Sequence, residues 1–149
     1  IVGEGSYMMF NSDIYSTDFN GHKMIVIDRD NRGFSVINRL QNFKGSASFN
    51  NLLQDCKVEN LQGVDFVQHA TSMGALGEHV ESTAELEAAF KRAKAADRTY
   101  VICIKTKPSQ WTPGDAWWDV GVPEVSDREE VRQARADHTE GQKRQRLGV

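Results

Sequence analysis

Two short stretches of the chain carry residue types that could hold a metal ion and a phosphate group. The first is Gly3-Glu4-Gly5-Ser6, in which two glycines bracket a carboxylate and a hydroxyl follows that can open a helix. The second is the polar turn 28–34, which closes an apolar run. The Glu4 carboxylate, the Asn31 side-chain oxygen and a backbone carbonyl near Gly33 are hard oxygen donors, which suit Mg²⁺ bound together with a phosphate.

Both stretches follow apolar runs that we expect to be neighbouring strands of a parallel sheet. Open α/β sheets bind their ligands outside the carboxyl ends of the strands, so the two turns should meet at one edge. Gly3 and Gly5 allow a positive φ and the close approach of a ligand to the backbone. The Ser6 hydroxyl and the N–H groups of the following helix suit an anion. By itself, a Gly-Glu-Gly triplet is more simply a strand-to-helix turn.

Strand and helix signals alternate along the first 105 residues. Apolar runs predict strands at 24–28, 78–81 and 100–104, beside the apolar pair that opens the chain. Apolar spacing and capping residues predict helices over 6–19, 34–40, 66–73 and 83–96. This alternation predicts an α/β fold with three layers, in which a mostly parallel sheet has helices on both faces.

Three details of this pattern can be compared directly with the structure. We expect the first helix to bury Met8, Met9, Ile14 and Phe19 and to stop at Gly21. We expect Asp65 to cap the helix that follows it. Residues 41–63 are polar and irregular, and they are either a lid or substrate loop or an ordinary excursion.

The composition changes after residue 107, and we place a domain boundary there. Residues 1–107 form the predicted ligand-binding α/β domain, and 108–149 form an irregular extension, a helix and a basic tail. Ser126 and Glu129 fit a capping box that opens this helix, which we expect to end near residue 137. The extension contains Trp111, Trp117 and Trp118, whose large apolar rings must pack against other residues to be shielded from solvent. Packing onto the domain or a dimer mate is the simpler interpretation, and a wall near a substrate entrance is the alternative.

The composition is that of an ordinary globular domain. The chain has 149 residues, 39% hydrophobic and 26% charged, with a net charge of −3, which gives no broad nucleic-acid or membrane footprint. Cys56 and Cys103 lack metal-ligand spacing and suggest no disulfide framework, so we expect a cytoplasmic protein. No apolar run is as long as a membrane span. The chain opens with Ile1 at the tail of an expected strand, so we expect a C-terminal piece of a longer polypeptide whose first strands are missing.

Gly3-Glu4-Gly5, the spacer 6–29 and Asp30-Asn31 together resemble the signature of thiamine diphosphate enzymes. That signature is Gly-Asp-Gly, a spacer of similar length and Asn-Asn. In the family, the acidic residue, the last Asn and a main-chain carbonyl two residues later hold Mg²⁺ on the diphosphate. The resemblance therefore implies a metal site formed by Glu4, Asn31 and Gly33. It implies thiamine diphosphate binding by the following residues: Gly3, Gly5, Ser6, Asn31, Gly33 and Phe34.

This sequence departs from the signature twice. Asp30 replaces the first Asn, which is not the metal ligand. Glu4 replaces the usual Asp, which keeps the carboxylate but adds a methylene, so the backbone or the rotamer must absorb the added length.

Longer stretches are similar to the C-terminal domain of the trihydroxycyclohexane-1,2-dione hydrolases of inositol catabolism, over nearly the whole chain. They are 3–9, 30–34, 37–41, 49–53 and 116–126, of which the last is the most branch-specific. The resemblance implies that the full-length enzyme cleaves a C–C bond of 3D-trihydroxycyclohexane-1,2-dione with water and gives 5-deoxy-glucuronate. It also implies a homo-oligomer in which an N-terminal domain, usually of a second subunit, supplies the activating glutamate. We therefore expect no catalytic residue in this chain, and no activity from it alone.

Two other classes of function remain open. An acetohydroxyacid synthase-like enzyme would share the diphosphate signature but would have no reason to carry the segment 116–126. A non-catalytic phosphate-binding domain would prefer a nucleotide and would not need Mg²⁺. A role of the tryptophan-rich segment in assembly is compatible with the first interpretation.

Overall fold

The computed structural model describes residues 1–57, 60, 63–112, 117 and 121–146. The chain divides into two compact units. The first, which we call the sheet unit, comprises Ile1–Phe34 and Lys57–Pro108; the second, the helical unit, comprises Ser35–Cys56 and Ser109–Val149. The domain boundary after residue 107 stays a prediction.

Four parallel strands form the sheet, in the order β1-β2-β4-β3. They are β1 (Val2–Gly3), β2 (Ile25–Asp30), β3 (Leu76–Val80) and β4 (Tyr100–Lys105). The predicted parallel α/β sheet is confirmed. The second strand runs two residues beyond its predicted end, because Arg29 and Asp30 continue the pairing with β4. As a result, Asp28 lies inside the strand and not in the turn.

Six helices accompany the strands in the described part of the chain. The sheet unit contains α1 (Glu4–Phe10), α2 (Ser12–Asn20), α4 (Phe66–Ser72) and α5 (Thr83–Ala95), and the helical unit contains α3 (Ser35–Phe43) and α6 (Glu129–Arg144). A short 3₁₀ turn, Leu53–Asp55, lies in the segment predicted to be an irregular loop. The chain order matches the predicted alternation, except that the first helix is divided in two.

The sheet unit has three layers, with a separate apolar cluster on each face of its sheet. Because side chains alternate along a strand, Val101 and Cys103 face one side of β4 and Ile102 faces the other. The first cluster is covered by α1, α2 and α4, and the second by α5 through Ala89 and Ala93. The predicted helices on both faces of the sheet are confirmed within this unit.

The helix predicted over 6–19 begins earlier and is interrupted at Asn11. Ile14 is buried and Gly21 ends α2 with a φ of 66°, both as predicted. The prediction that Met8, Met9 and Phe19 point inward was wrong, because they are 48%, 64% and 78% exposed. The reason is helical phase. Glu4, Tyr7 and Ile14 recur at intervals of three and seven and occupy the buried face, and the other apolar residues lie off it.

Two helices of the sheet unit are capped by side chains. The Asp65 carboxylate accepts the Gln68 N–H at 2.9 Å, as predicted. Ser82 caps α5 by accepting the Glu85 N–H at 3.2 Å, and the Glu85 carboxylate accepts the Glu81 N–H at 2.7 Å. These bonds explain why both helices begin where the sequence indicated.

The helical unit differs from prediction at its last helix. The Ser126 hydroxyl accepts the Arg128 N–H at 3.1 Å, and no side chain caps α6, so the predicted capping box was wrong. The helix also continues to Arg144, through residues that we expected in the tail. Gly141 lies inside this helix and packs so closely on the Trp117 indole that a Cβ would lie 2.3 Å from the ring.

The tryptophan-rich segment is described in part. The Arg39 guanidinium lies 5.2 Å from the centre of the Trp111 ring, and the Trp117 ring contacts His138 edge-on. Trp118 and the rest of the segments 113–116, 118–120 and 147–149 lie outside the described residues. Both interpretations of this segment, packing onto the domain or a dimer mate and a wall near a substrate entrance, stay predictions.

Candidate functional site

The Glu4 carboxylate joins the ends of β1 and β2. Gly3 pairs with Arg29 across these parallel strands, so the first residue of α1 lies beside the turn that follows β2. Glu4 is 6% exposed. One carboxylate oxygen, Oε2, accepts the Asn31 N–H at 3.1 Å, and Oε1 accepts the Gly33 N–H. The two stretches that the sequence singled out are therefore hydrogen-bonded to each other.

The turn 31–33 has an unusual backbone. Arg32 has a φ of 60° and Gly33 a φ of 147°, so both lie on the positive side of φ, where glycine is favoured over other residues. The Arg32 N–H donates to Asp30 Oδ1 at 3.0 Å. Three successive amide groups, those of residues 31 to 33, thus donate to carboxylate oxygens. A non-glycine residue held at such a φ typically costs about 1–3 kcal/mol, and its surroundings must hold it there.

The two glycines of the first stretch do not use the positive φ that glycine allows. Gly3 is extended, with a φ of −95°, and Gly5 lies within α1. Gly5 instead admits an aromatic ring, because a Cβ there would lie 2.6 Å from Cε1 of Phe34. Asn31 Nδ2 lies 3.9 Å from the position of a Cβ on Gly3. The positive φ angles of this site are those of Arg32 and Gly33, in the turn that is hydrogen-bonded to Glu4.

Most of the predicted site residues are brought together at this edge. Gly3, Glu4 and Gly5 lie at the end of β1 and the start of α1, and they contact the turn 31–34 that follows β2. Ser6 is an exception, since it is exposed and is the third residue of α1. The expectation that its hydroxyl opens the helix was wrong, because the helix begins at Glu4.

Asp28 is a buried carboxyl that sequence reasoning missed. It is 0% exposed and faces the same side of the sheet as Cys103, whose Sγ lies 3.9 Å from its Oδ2. Its Oδ1 has no hydrogen-bond partner among the described residues. Burial, and next the negative charges of Glu4 and Asp30, raise the pKa of Asp28 from the usual 3.8 to about 7. The two-residue alternation from Val26 to Asp28 was the signal that could have shown this placement.

Two other polar groups lie on this face of the sheet. The Tyr7 hydroxyl lies 3.0 Å from His69 Nδ1, and burial followed by the charge of Asp28 raises the pKa of Tyr7 to about 12. Burial and the charge of Asp28 likewise raise the pKa of the Cys103 thiol to about 12. Both groups therefore stay protonated at neutral pH, and Cys103 is not an activated nucleophile.

The described residues contain no cluster of three or more His, Cys, Asp or Glu side chains that could hold a metal ion. The predicted magnesium set is of another kind, since it combines one carboxylate with an amide oxygen and a main-chain carbonyl. Glu4 accepts the backbone N–H groups of Asn31 and Gly33, so its carboxylate lies beside the two residues that are expected to supply the other oxygens. By donor type, this set suits a divalent cation bound with a phosphate.

None of the helices in the described part of the chain is long and apolar enough to cross a membrane.

Comparison with known proteins places this site in a family. The sequence model described as "Thiamine pyrophosphate enzyme, C-terminal TPP binding domain" matches residues 1–104. A 3D-(3,5/4)-trihydroxycyclohexane-1,2-dione hydrolase of Bacillus subtilis is 37% identical over 137 residues, which cover 90% of this chain and 21% of the relative. A protein of the same name from Listeria monocytogenes is 34% identical over 148 residues, which cover 99% of this chain and 23% of the relative.

The chain spans about a fifth of the length of these relatives. Among solved structures, the thiamine diphosphate-dependent 4-hydroxybenzoylformate decarboxylase of Rhodococcus jostii RHA1 superposes with a TM-score of 0.56 at 23% identity. The match covers 71% of this chain and 19% of that one, and it shows a shared fold. The family match spans the whole sheet unit up to β4, including the hydrogen-bonded turns. This chain therefore belongs to the thiamine pyrophosphate enzyme family, as a C-terminal TPP-binding domain.

Proposed function

We propose that this chain anchors the cofactor of a thiamine diphosphate-dependent hydrolase that cleaves a C–C bond in 3D-(3,5/4)-trihydroxycyclohexane-1,2-dione and yields 5-deoxy-glucuronate. The observation that carries the proposal is the hydrogen-bonded pair of turns, Glu4 with 31–33, at the carboxyl ends of β1 and β2. Relatives of that name, 34–37% identical over at least nine-tenths of this chain, support the choice of substrate.

In this proposal, Mg²⁺ is held by the Glu4 carboxylate, the Asn31 side-chain oxygen and the Gly33 carbonyl. A carboxylate presents about four lone-pair positions, so accepting two N–H groups is compatible with binding a cation as well. Mg²⁺ usually takes one or two carboxylates together with phosphate oxygens, which agrees with a site that contains a single glutamate.

The diphosphate is held by residues of the two stretches, at the start of α1 and in the turn after β2, namely Gly3, Gly5, Ser6, Asn31, Gly33 and Phe34. When bound, thiamine diphosphate supplies a nucleophilic thiazolium carbon and an electron sink for the bond that breaks. The role of this chain in the reaction is to fix the diphosphate and so to orient the reactive ring toward the substrate.

No residue of this chain is assigned to proton transfer in the reaction. We propose that N-terminal domains, one of them from a second subunit of a homo-oligomer, supply the activating glutamate, and that this chain alone is inactive. We also propose that the enzyme is cytoplasmic, which agrees with the two free cysteines, Cys56 and Cys103.

The test is a turnover assay of the full-length protein with thiamine diphosphate and Mg²⁺. We expect consumption of the cyclic dione and none of pyruvate, and loss of activity when the metal ion is chelated. The Glu4→Ala variant should be inactive, and Glu87→Ala, which removes an exposed partner of Lys91, should retain activity. Turnover of pyruvate alone would indicate an acetohydroxyacid synthase-like enzyme, and turnover of neither substrate would contradict the proposal.

A further inference from the structure

We propose that Glu4 is a positioning residue that braces the turn 31–33 before any ligand binds, and that an aspartate at this position would be too short to do so. The meaning of this brace for the cofactor rests on the proposed function, but the brace itself is a property of the ligand-free chain. The replacement of the signature aspartate by Glu4 would then have a structural purpose.

The first observation that supports this role of Glu4 is the hydrogen bonding of the turn. Glu4 accepts two of the three successive amide N–H groups, and Asp30 accepts the one between them. Successive backbone N–H groups around a residue of positive φ form a concavity that favours an anion. Here the anion is the carboxylate of Glu4, which is 6% exposed and is therefore held in place by its surroundings.

The second observation is the backbone conformation of the turn. Arg32, at a φ of 60°, lies between the two amides that Glu4 accepts. A residue in this region returns to a commoner conformation when nothing holds it. Because the Glu4 carboxylate bonds on both sides of Arg32, it holds this φ from both directions.

The length of the glutamate side chain explains why an aspartate could not replace it. The backbone of residue 4 is set by the pairing of Gly3 with Arg29. An aspartate carboxylate would lie about one C–C bond, or about 1.5 Å, nearer to that backbone. A contact of 3.1 Å from Oε2 to the Asn31 amide would then exceed hydrogen-bonding distance. Glutamate therefore reaches both amides, and aspartate reaches one at most.

The test is amide hydrogen exchange, followed by NMR, on the full chain without metal ion or cofactor. We expect slow exchange at Asn31 and Gly33 in the unsubstituted protein. In Glu4→Asp at least one of these amides should exchange about tenfold faster or more, as expected for the loss of a charge-assisted hydrogen bond. In Glu4→Gln, which keeps the length but has a single acceptor oxygen, one amide should lose protection and the other keep it.

Two controls separate a local effect from unfolding. The Ile102 amide, in the buried strand β4, reports on the fold and should stay protected in every variant. Glu85→Asp shortens a comparable carboxylate that accepts the Glu81 N–H, and it should leave Asn31 and Gly33 unchanged. If Glu4→Asp also exposed Ile102, the isosteric Glu4→Gln would decide the question.

Unchanged exchange at both amides in Glu4→Asp and Glu4→Gln, with Ile102 protected, would overturn the brace. Fast exchange of both amides in the unsubstituted protein would overturn it as well. Calorimetric binding of thiamine diphosphate with Mg²⁺ then separates the two proposals. A protein that binds the cofactor with unprotected amides retains the proposed function without the brace, and one with protected amides and no binding retains the brace without that function.

Discussion

Substitution of the buried Asp28 by asparagine should stabilise the protein at neutral and higher pH. The folded protein raises the pKa of this carboxyl to about 7, first through burial and then through the charges of Glu4 and Asp30. A difference of about 3 between the folded and unfolded pKa values corresponds to about 4 kcal/mol. Asparagine has nearly the same shape and stays neutral at every pH, so it avoids this penalty.

The sign of the pH dependence follows from the direction of the shift. The folded protein holds the proton of Asp28 more tightly than the unfolded chain does. Stability from this group is therefore fully present below about pH 4, and it is lost as the pH rises to about 7. Asp28→Asn should thus match the unsubstituted chain near pH 4 and exceed it by up to about 4 kcal/mol at pH 8.

Urea unfolding followed by circular dichroism between pH 4 and 8 measures this difference. Asp97 is a suitable control, because it is an exposed aspartate that pairs with Arg98. The control Asp97→Asn should leave the slope of stability against pH unchanged between pH 5 and 8. Parallel curves for Asp28→Asn and the unsubstituted chain over the whole range would refute the reasoning, since they would mean that Asp28 titrates alike in the folded and unfolded states.

Two further substitutions test local contacts by the same urea measurement. Ser82→Ala removes the hydroxyl that accepts the Glu85 N–H at the start of α5, and it should lower the free energy of unfolding by about 1 kcal/mol; no change would mean that this cap is not formed in solution. Gly141→Ala should destabilise by about 1–3 kcal/mol, because its Cβ would lie 2.3 Å from the Trp117 ring, although alanine normally favours a helix interior. Its control, Gly63→Ala, meets nothing within 4 Å and should be nearly neutral, and a stabilising Gly141→Ala would contradict the close packing.

The sheet and its helices could be predicted because their signals are local. The apolar run 100–104 predicts a buried strand without reference to the rest of the chain. Asp65 caps the next helix by accepting a backbone N–H only three residues away. The meeting of Glu4 with the turn 31–33 followed from a general rule, that the carboxyl ends of adjacent parallel strands share one edge. These features need no knowledge of distant contacts.

What escaped prediction depends on contacts between distant parts of the chain. Met8 and Met9 are as apolar as a core residue, but Tyr7 and Ile14 set the buried face, and sequence spacing alone did not choose between the two phases. In α6, Gly141 packs on a tryptophan that lies 24 positions earlier in the sequence, a contact that the local pattern did not show.

Within the site, the chemistry of the side chains was easier to predict than the backbone. Glu4 and Asn31 could be singled out from their types and spacing, and a hydrogen bond joins the two residues. The positive φ at Arg32 could not be predicted, because nothing in an arginine favours that conformation and one of the carboxylates that hold it, that of Glu4, comes from the start of α1.

Calorimetric titration of the full-length protein shows whether the paired turns bind thiamine diphosphate through Mg²⁺, as we propose. Thiamine diphosphate should bind when Mg²⁺ is present and not when it is chelated. Binding should be lost in Glu4→Ala and retained in the control Glu87→Ala, which lies on the exposed face of α5. No binding under either condition, or equal binding by Glu4→Ala, would contradict the account.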